Sequence, residues 1–133
     1  MSAAIMYVDG ASRGNPGQAA IGVSIQDTNG KEVATISQAI GRTTNNRAEY
    51  TALIEGLRLA KIQQIEEVEV KADSQLIVRQ MLGQYQIRDQ GLRSLWEEAQ
   101  RLSKEFRSFI IVHIPRDEND RADELANQAL DEV

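Results

Sequence analysis

The spacing of apolar residues changes once along this chain, and that change restricts the folds it can adopt. Before residue 46 the pattern suits extended strands, predicted over 3–9, 18–26 and 31–40. The turn sequence Asp27-Thr28-Asn29-Gly30 joins the second strand to the third. Beyond that point helical spacing alternates with strands, and we predict helices over 46–62, 74–82, 91–106 and 120–130 and strands over 67–72 and 108–114.

This order of elements predicts an α/β protein with a mixed sheet and helices packed on its faces. Its 133 residues are enough for one domain, predicted to span 1–133. The strand over 108–114 reads SFIIVHI, the most apolar of the set, so we expect it to be central or covered on both faces.

Composition limits the classes of function. The chain has no cysteine, which excludes a disulfide framework and a thiolate metal site, and it has no apolar run long enough to span a membrane. We therefore expect a cytoplasmic protein without a membrane partner. Its net charge of −5 argues against binding nucleic acid by bulk charge. To bind nucleic acid, this chain would need a local basic cluster, or a metal ion that bridges phosphate and carboxylate.

Four acids occupy positions that such a fold can bring together. Asp9 ends the first predicted strand, and Asp73 directly follows the strand over 67–72. Glu49 lies early in the first helix, and Asp123 lies early in the last. Asp9 is also explained as a turn residue, Asp73 as a helix N-cap, and Asp123 as a first-turn acid favoured by the helix dipole. Glu49 resists such an explanation, because the apolar residues of its helix point in its own direction.

The chemistry of these four acids favours a hard cation. Like charges packed closely repel, and a divalent ion relieves that repulsion. The only histidine is His113 and cysteine is absent, so the ligands are oxygen atoms, which suit Mg²⁺ or Mn²⁺. Two such ions about 4 Å apart would form a clamp for in-line phosphoryl transfer.

Four blocks of the sequence carry a resemblance that covers essentially the whole chain. DGASRGNPG at 9–17, RTTNNRAEY at 42–50, ADSQLIVRQ at 72–80 and HIPRDENDRADELAN at 113–127 resemble ribonuclease H type I, in its compact, archaeal-like branch. The resemblance implies a five-stranded mixed sheet of order 3-2-1-4-5 with helices on both faces. It also implies an endoribonuclease that hydrolyses the RNA strand of RNA–DNA hybrids and leaves 5′-phosphate and 3′-hydroxyl ends.

The resemblance implies a role for each matching residue. Asp9, Glu49, Asp73 and Asp123 match the acids that hold two Mg²⁺ or Mn²⁺ ions, one activating water and one steadying the leaving 3′ oxygen. The expected contacts to the RNA and the minor groove are Gly10, Ala11, Ser12, Asn15, Asn45, Asn46 and Gln75. Arg42 and Thr44 match a pocket for a phosphate of the DNA strand.

This chain departs from many relatives in two places. The loop before Asp123 is short, so we predict that Arg116 takes the part of the histidine thought to assist product release, while His113 is structural. The competing interpretation of Arg116 is a surface arginine paired with Asp117, Glu118 or Asp120. A Lys- and Trp-rich helix that grips the hybrid is missing, since only GQYQIRDQ separates two helices, and Trp96 lies on a core-facing stripe. We therefore predict weak hybrid binding with a steep dependence on metal and salt.

Three other classes of function compete with this one. The same fold without catalysis would be a hybrid-binding module, but such domains usually lose an acid. Holliday-junction resolvases and 3′–5′ exonucleases share acids at strand ends but lack the TTNNRAEY and DSQ blocks. A phosphatase or receiver-like Mg²⁺ enzyme would want a lysine or hydroxyl at a matching strand end. The expected partner is an RNA–DNA hybrid bound by a monomer, with double-stranded RNA as a side substrate.

Overall fold

The computed structural model describes residues 2–133, which form five strands and four α-helices. The strands are β1 (Ala3–Gly14), β2 (Gly17–Gln26), β3 (Glu32–Thr43), β4 (Glu67–Ala72) and β5 (Ser108–His113). The helices are α1 (Asn45–Ile62), α2 (Gln75–Met81), α3 (Gln90–Ser103) and α4 (Asp120–Asp131). A single 3₁₀ turn over Arg116–Glu118 precedes α4.

The strands form one mixed sheet of order β3-β2-β1-β4-β5, which confirms the predicted topology. The hairpin-linked strands β1, β2 and β3 pair antiparallel. β4 pairs parallel with β1 on one side and with β5 on the other. The centre of the sheet is therefore β1, where antiparallel pairing changes to parallel pairing.

Helices cover both faces of the sheet, because alternate residues of each strand point in opposite directions. Met6 and Gly10 of β1 face α1, and α3 packs on α1. Gly22 of β2 faces the other way, against α4. The main core lies between the sheet and α1, and its fully buried side chains include Leu53 and Leu57. Both helices that carry a candidate acid therefore pack directly on the central strands.

Two predictions about strands were wrong. β1 does not end at Asp9 but continues in register with β2 as far as Gly14. β5 is an edge strand rather than a central one, and Ile110 is 51% exposed while its neighbour Ile111 is buried. An apolar run predicts a strand, but it does not distinguish a central strand from an edge strand when one face alone is covered.

The residues that cap the helices show that the N-cap interpretation of Asp73 was wrong. The side chain of Ser74 accepts a hydrogen bond from the N–H of Ile77 at 3.3 Å and is the N-cap of α2. Asp73 therefore does not cap the helix, and its carboxylate is free to bind a ligand. Thr44 caps α1 in the same way, accepting from the N–H of Arg47 at 3.3 Å. Across residues 2–133, none of the helices combines the length and apolar character needed to span a bilayer.

Candidate active site

Asp9 and Asp73 lie side by side at the point where β1 and β4 separate. The last parallel pair of these strands is Val8 with Ala72, and the two acids are the next residue on each strand. Carboxyl ends of parallel strands next to a change of direction in the sheet are where α/β proteins place ligands. The topology thus brings two carboxylates together that are far apart in the sequence.

Glu49 joins this pair because α1 contacts β1 through Gly10. A Cβ atom at Gly10 would lie 2.2 Å from the carbonyl carbon of Ala48, so only glycine allows this approach. The N–H of Gly10 donates to Oε1 of Glu49 at 2.8 Å, and Glu49 is 3% exposed. The inward direction predicted from the helical spacing is therefore confirmed.

Asp123 reaches the site because α4 lies equally close to β2. Gly22 is the cross-strand partner of Asp9, and a Cβ atom there would lie 2.0 Å from the carbonyl oxygen of Ala122. Two glycines next to Asp9, one along the chain and one across the sheet, thus let both acid-bearing helices contact the central strands. Asp123 remains more open than Glu49, with 34% of its side chain exposed.

Three of the four acids are close enough to share a metal ion. One carboxylate oxygen from each of Asp9, Glu49 and Asp73 lies within 4.8 Å of the others. Asp123 lines the same cleft outside this trio. Every donor is a carboxylate oxygen, and such a set fits Mg²⁺ or Mn²⁺ rather than a softer metal. The residues present therefore fit a hard divalent cation.

The electrostatics of the trio also call for a cation. Burial raises the pKa of the Asp9 carboxyl to about 7, and the nearby charges of Asp73 and Asp123 add to this. Burial raises the pKa of Glu49 well above its usual range too, with the charge of Asp9 as the next cause. Because these carboxylates are costly to ionise in the same place, a divalent ion would stabilise their charged forms.

The cleft around the acids has a volume of about 490 Å³. Its lining residues are Asp9, Gly10, Ala11, Ser12, Arg13, Asn45, Glu49, Asp73, Ser74, Arg116, Asp123, Asn127 and Leu130. Nine of the predicted site residues are in this set. The other predicted residues, Asn15, Arg42, Thr44, Asn46 and Gln75, do not line the cleft itself.

Four of those five residues adjoin lining residues along the chain or through a hydrogen bond, and the fifth, Arg42, lies on β3. Asn15 is at the tip of the β1–β2 hairpin, and its Oδ1 accepts from the N–H of Asn45 at 3.0 Å. Arg42 pairs with Gln18 near the end of β3 and is exposed. Gln75 opens α2, where its amide oxygen can accept from the Arg79 guanidinium at 3.2 Å.

The structure places Arg116 and His113 differently. Arg116 lines the cleft, its side chain is 84% exposed, and its Nη2 lies 4.0 Å from Oδ1 of Asp123. His113 ends β5 opposite Ala72, is exposed, and does not line the cleft. Within residues 2–133 the one ion pair of Arg116 is with Asp123. Asp117, Glu118 and Asp120, its alternative partners, are not within ion-pair distance.

Several residues at or beside the site were not predicted from the sequence, among them Gly22, Asn119 and Asn127. Gly22 admits α4, and a glycine inside an otherwise apolar strand was the available signal. Asn119 precedes α4, is 1% exposed, and bonds to Asp73. Asn127 lines the cleft and donates to the carbonyl of Asp123 at 3.0 Å. Nothing in the spacing distinguishes these asparagines from ordinary surface amides.

Comparison with known proteins agrees with this geometry. The family described as "Reverse transcriptase-like" matches residues 7–129. A curated relative, ribonuclease HI of Halobacterium salinarum, is 45% identical over 127 residues, which are 96% of this chain and 64% of the relative. This chain therefore spans a little under two thirds of that protein's length.

Two solved structures are similar over their full length. RNase H1 of the halophilic archaeon Halobacterium salinarum superimposes with a TM-score of 0.97 at 43% identity, covering 99% of this chain and 100% of that one. LC11-RNase H1, isolated from compost and solved in complex with RNA/DNA hybrid, gives a TM-score of 0.92 at 44% identity, with 97% of each chain covered. With its sheet order, its four acids and these relatives, the chain belongs to the ribonuclease H type I family.

Proposed function

We propose that this chain is an endoribonuclease that hydrolyses the RNA strand of RNA–DNA hybrids with two Mg²⁺ or Mn²⁺ ions, leaving 5′-phosphate and 3′-hydroxyl ends. The observation that carries the proposal is the carboxylate trio of Asp9, Glu49 and Asp73, within 4.8 Å, in a cleft that Asp123 also lines. The hybrid in the LC11-RNase H1 structure supports the choice of substrate. In this proposal the whole of 1–133 acts as one catalytic domain.

The acids would hold the ions on rigid parts of the fold. Such ions, when bound, activate water and stabilise charge on a leaving oxygen. Asp9 lies in the paired part of β1, and the Glu49 carboxylate is fixed by the N–H of Gly10. Asp123, with its larger exposed fraction, has room to adjust as substrate enters. Without cations this cleft would repel a phosphate backbone, so we expect productive hybrid binding to depend on metal.

Contacts to the RNA strand would come from β1 and the hairpin that follows it. Gly10, Ala11 and Ser12 line the cleft. Their backbone would lie close to a ribose, where a 2′-hydroxyl can be recognised. Because Oδ1 of Asn15 is held by Asn45, the Asn15 amide is left with its two N–H donors for the minor groove.

Contacts to the DNA strand would come from the end of β3 and the start of α1. The hydroxyl oxygen of Thr44 accepts from the N–H of Arg47, which leaves the O–H free to donate to a phosphate. Arg42 is exposed two residues earlier and would supply the charge. Asn46 and Gln75 are exposed at the starts of α1 and α2 and complete the polar border of the cleft.

Several finer points belong to the same proposal. Arg116 assists release of the cleaved strand, because it is the exposed cation next to Asp123. Double-stranded RNA is a slower substrate, and the protein acts as a monomer in the cytoplasm. A catalytically inactive hybrid-binding module is the alternative, and the presence of all four acids argues against it.

A cleavage comparison with labelled substrates tests the proposal. RNA–DNA hybrid, double-stranded RNA, DNA duplex and single-stranded RNA would each be incubated with Mg²⁺, with Mn²⁺ and with chelator. We expect metal-dependent cleavage of the hybrid, with new 3′-hydroxyl ends, slower cleavage of double-stranded RNA and none of the DNA duplex. Tight hybrid binding without cleavage in either metal would favour the binding module, and preferential cleavage of DNA would reject the substrate class.

A further inference from the structure

We propose that Asn119 is a positioning residue of the metal site, which holds the Asp73 carboxylate in its metal-binding orientation. The inference rests on the proposed function only in assuming that the acids bind divalent ions. Asn119 precedes α4 and is 1% exposed, so its amide is buried rather than solvated. It lies next to the cleft but is not among the residues that line it.

The amide of Asn119 fills the gap where two strands separate. Its Nδ2 donates to the carbonyl oxygen of Val8 at 2.9 Å and to Oδ2 of Asp73 at 3.1 Å. Val8 belongs to the last parallel pair of β1 and β4 and directly precedes Asp9. One neutral group therefore fixes the distance between the strand that carries Asp9 and the carboxylate of Asp73.

The backbone of the same residue holds the helix that carries Asp123. The carbonyl oxygen of Asn119 accepts from the N–H of Asp123 at 3.1 Å. Through its side chain and its main chain, Asn119 thus contacts Asp73, the residue before Asp9, and Asp123. A shift of this one residue would change the relative positions of three acids.

Helix capping does not explain the orientation of this side chain. An asparagine at an N-cap ordinarily turns its Oδ1 toward the first N–H groups of the helix. Here no such bond is made, and Oδ1 is buried without a partner among the described residues. The side chain gives up the capping bond and points both N–H groups toward Val8 and Asp73 instead.

A neutral donor suits a metal ligand. The amide is the one side chain of the described chain that hydrogen-bonds to the Asp73 carboxylate, and it restrains Oδ2 without cancelling the charge. The other carboxylate oxygen of Asp73, Oδ1, is left free to bind a cation. Partners of this kind orient ligands and raise their affinity for metal, and removing one typically weakens metal binding about 10- to 100-fold.

Metal binding to the protein alone provides the test. Mn²⁺ would be titrated by calorimetry into wild type, Asn119→Ala and Asn119→Ser without nucleic acid, and melting temperatures would be recorded in chelator. Asn119→Ser keeps a residue that can cap α4 but is too short to reach Asp73. We expect both variants to bind Mn²⁺ about tenfold more weakly. In hybrid cleavage, the Mn²⁺ concentration that gives half the maximal rate should rise by a similar factor. At saturating metal, the KM for hybrid should stay within about twofold of wild type.

Gln80→Ala is the matched control, because Gln80 is a buried amide outside the site that accepts from the hydroxyl of Tyr50 at 2.8 Å. It should lower the melting temperature and leave Mn²⁺ affinity unchanged. Asn119 variants that melt lower but bind Mn²⁺ as wild type would overturn the proposal. The titration contains no hybrid, so it tests Asn119 independently of cleavage. If the wild-type protein binds Mn²⁺ but does not cleave the hybrid, the proposed function is rejected and the role of Asn119 is not.

Discussion

The backbone N–H of Gly10 lies 2.8 Å from Oε1 of Glu49 and donates to it, so the residue after Asp9 holds the acid of a different element. This bond also explains how a carboxylate that is 3% exposed is tolerated at the sheet. A buried carboxylate is stabilised by hydrogen bonds to its charged form. The position of Glu49 is thus set by the backbone of β1 and not by its rotamer alone.

Removing one carboxylate of the trio should abolish cleavage. Asp9→Asn and Glu49→Gln keep the shape of each side chain but remove a charged metal ligand. Since bound metal contributes several kcal/mol to the transition state, we expect hybrid cleavage to fall by about 1,000-fold or more. Single-turnover rates on a labelled hybrid measure this. Glu97→Gln, at an exposed position on α3, is the control and should cleave at the wild-type rate.

The stability of the metal-free protein should fall as the pH rises. The pKa of Asp9 in the folded protein is about 7, against an ordinary value of 3.8, and that of Glu49 is also raised. The folded protein therefore binds more protons than the unfolded chain over this interval, and the stability from these groups is lost as pH rises toward 7. Melting temperatures in chelator at about pH 5 and about pH 8 measure the loss.

Asp9→Asn provides the comparison for that experiment. The variant cannot ionise at residue 9, so it should melt several degrees above wild type at about pH 8 and by a smaller margin at about pH 5. Adding Mg²⁺ at the higher pH should raise the wild-type melting temperature more than that of the variant. A margin that stays constant with pH would show that the pKa of Asp9 is not raised in the folded protein.

A methyl group at Gly22 should disturb the site through α4. The added Cβ would lie 2.0 Å from the carbonyl oxygen of Ala122, so the helix that carries Asp123 must move away. We expect Gly22→Ala to lose about 1–3 kcal/mol of unfolding free energy and to need more Mg²⁺ for cleavage. Gly56→Ala is the control, because its Cβ would meet the flexible end of Met6 at 2.8 Å. An unchanged Mg²⁺ requirement in folded Gly22→Ala would contradict this role.

Arg116 should affect turnover more than binding. Its guanidinium lies 4.0 Å from the Asp123 carboxylate and is mostly exposed, so it can contact a departing phosphate without holding the fold. Arg116→Ala is expected to lower kcat about tenfold with hybrid KM changed less, as seen in steady-state kinetics with a burst-phase measurement. His113→Ala is the matched control at an exposed position outside the cleft. If His113→Ala lowers kcat and Arg116→Ala does not, the assignment is wrong.

The sequence was sufficient for those parts of the fold that periodicity determines. The strands of the β1–β3 hairpins and the amphipathic face of α3 are confirmed. The inward direction of Glu49 followed from its spacing to the apolar residues of α1, and it is buried. These features depend on local pattern, which a single sequence carries directly. The strand order is confirmed too, but the family resemblance implied it and periodicity did not.

Features that depend on tertiary neighbours could not be predicted. The apolar run of β5 does not reveal that one side of the strand has no pairing partner, so its edge position was missed. Whether Asp73 or Ser74 caps α2 depends on where the chain leaves the sheet. The roles of Gly22 and Asn119 arise from a helix and two strands that meet only in three dimensions.

The ion pair between Arg13 of the hairpin and Asp131 at the end of α4 has a practical consequence for handling the protein. Arg13 and Leu130 both line the cleft, so an affinity tag or reporter fused after residue 133 would emerge beside it. Ala3, by contrast, pairs with Glu67 at the amino ends of the parallel strands, whereas the acids follow their carboxyl ends. A tag placed ahead of residue 2 would therefore leave the cleft open for assays and for crystals with bound hybrid.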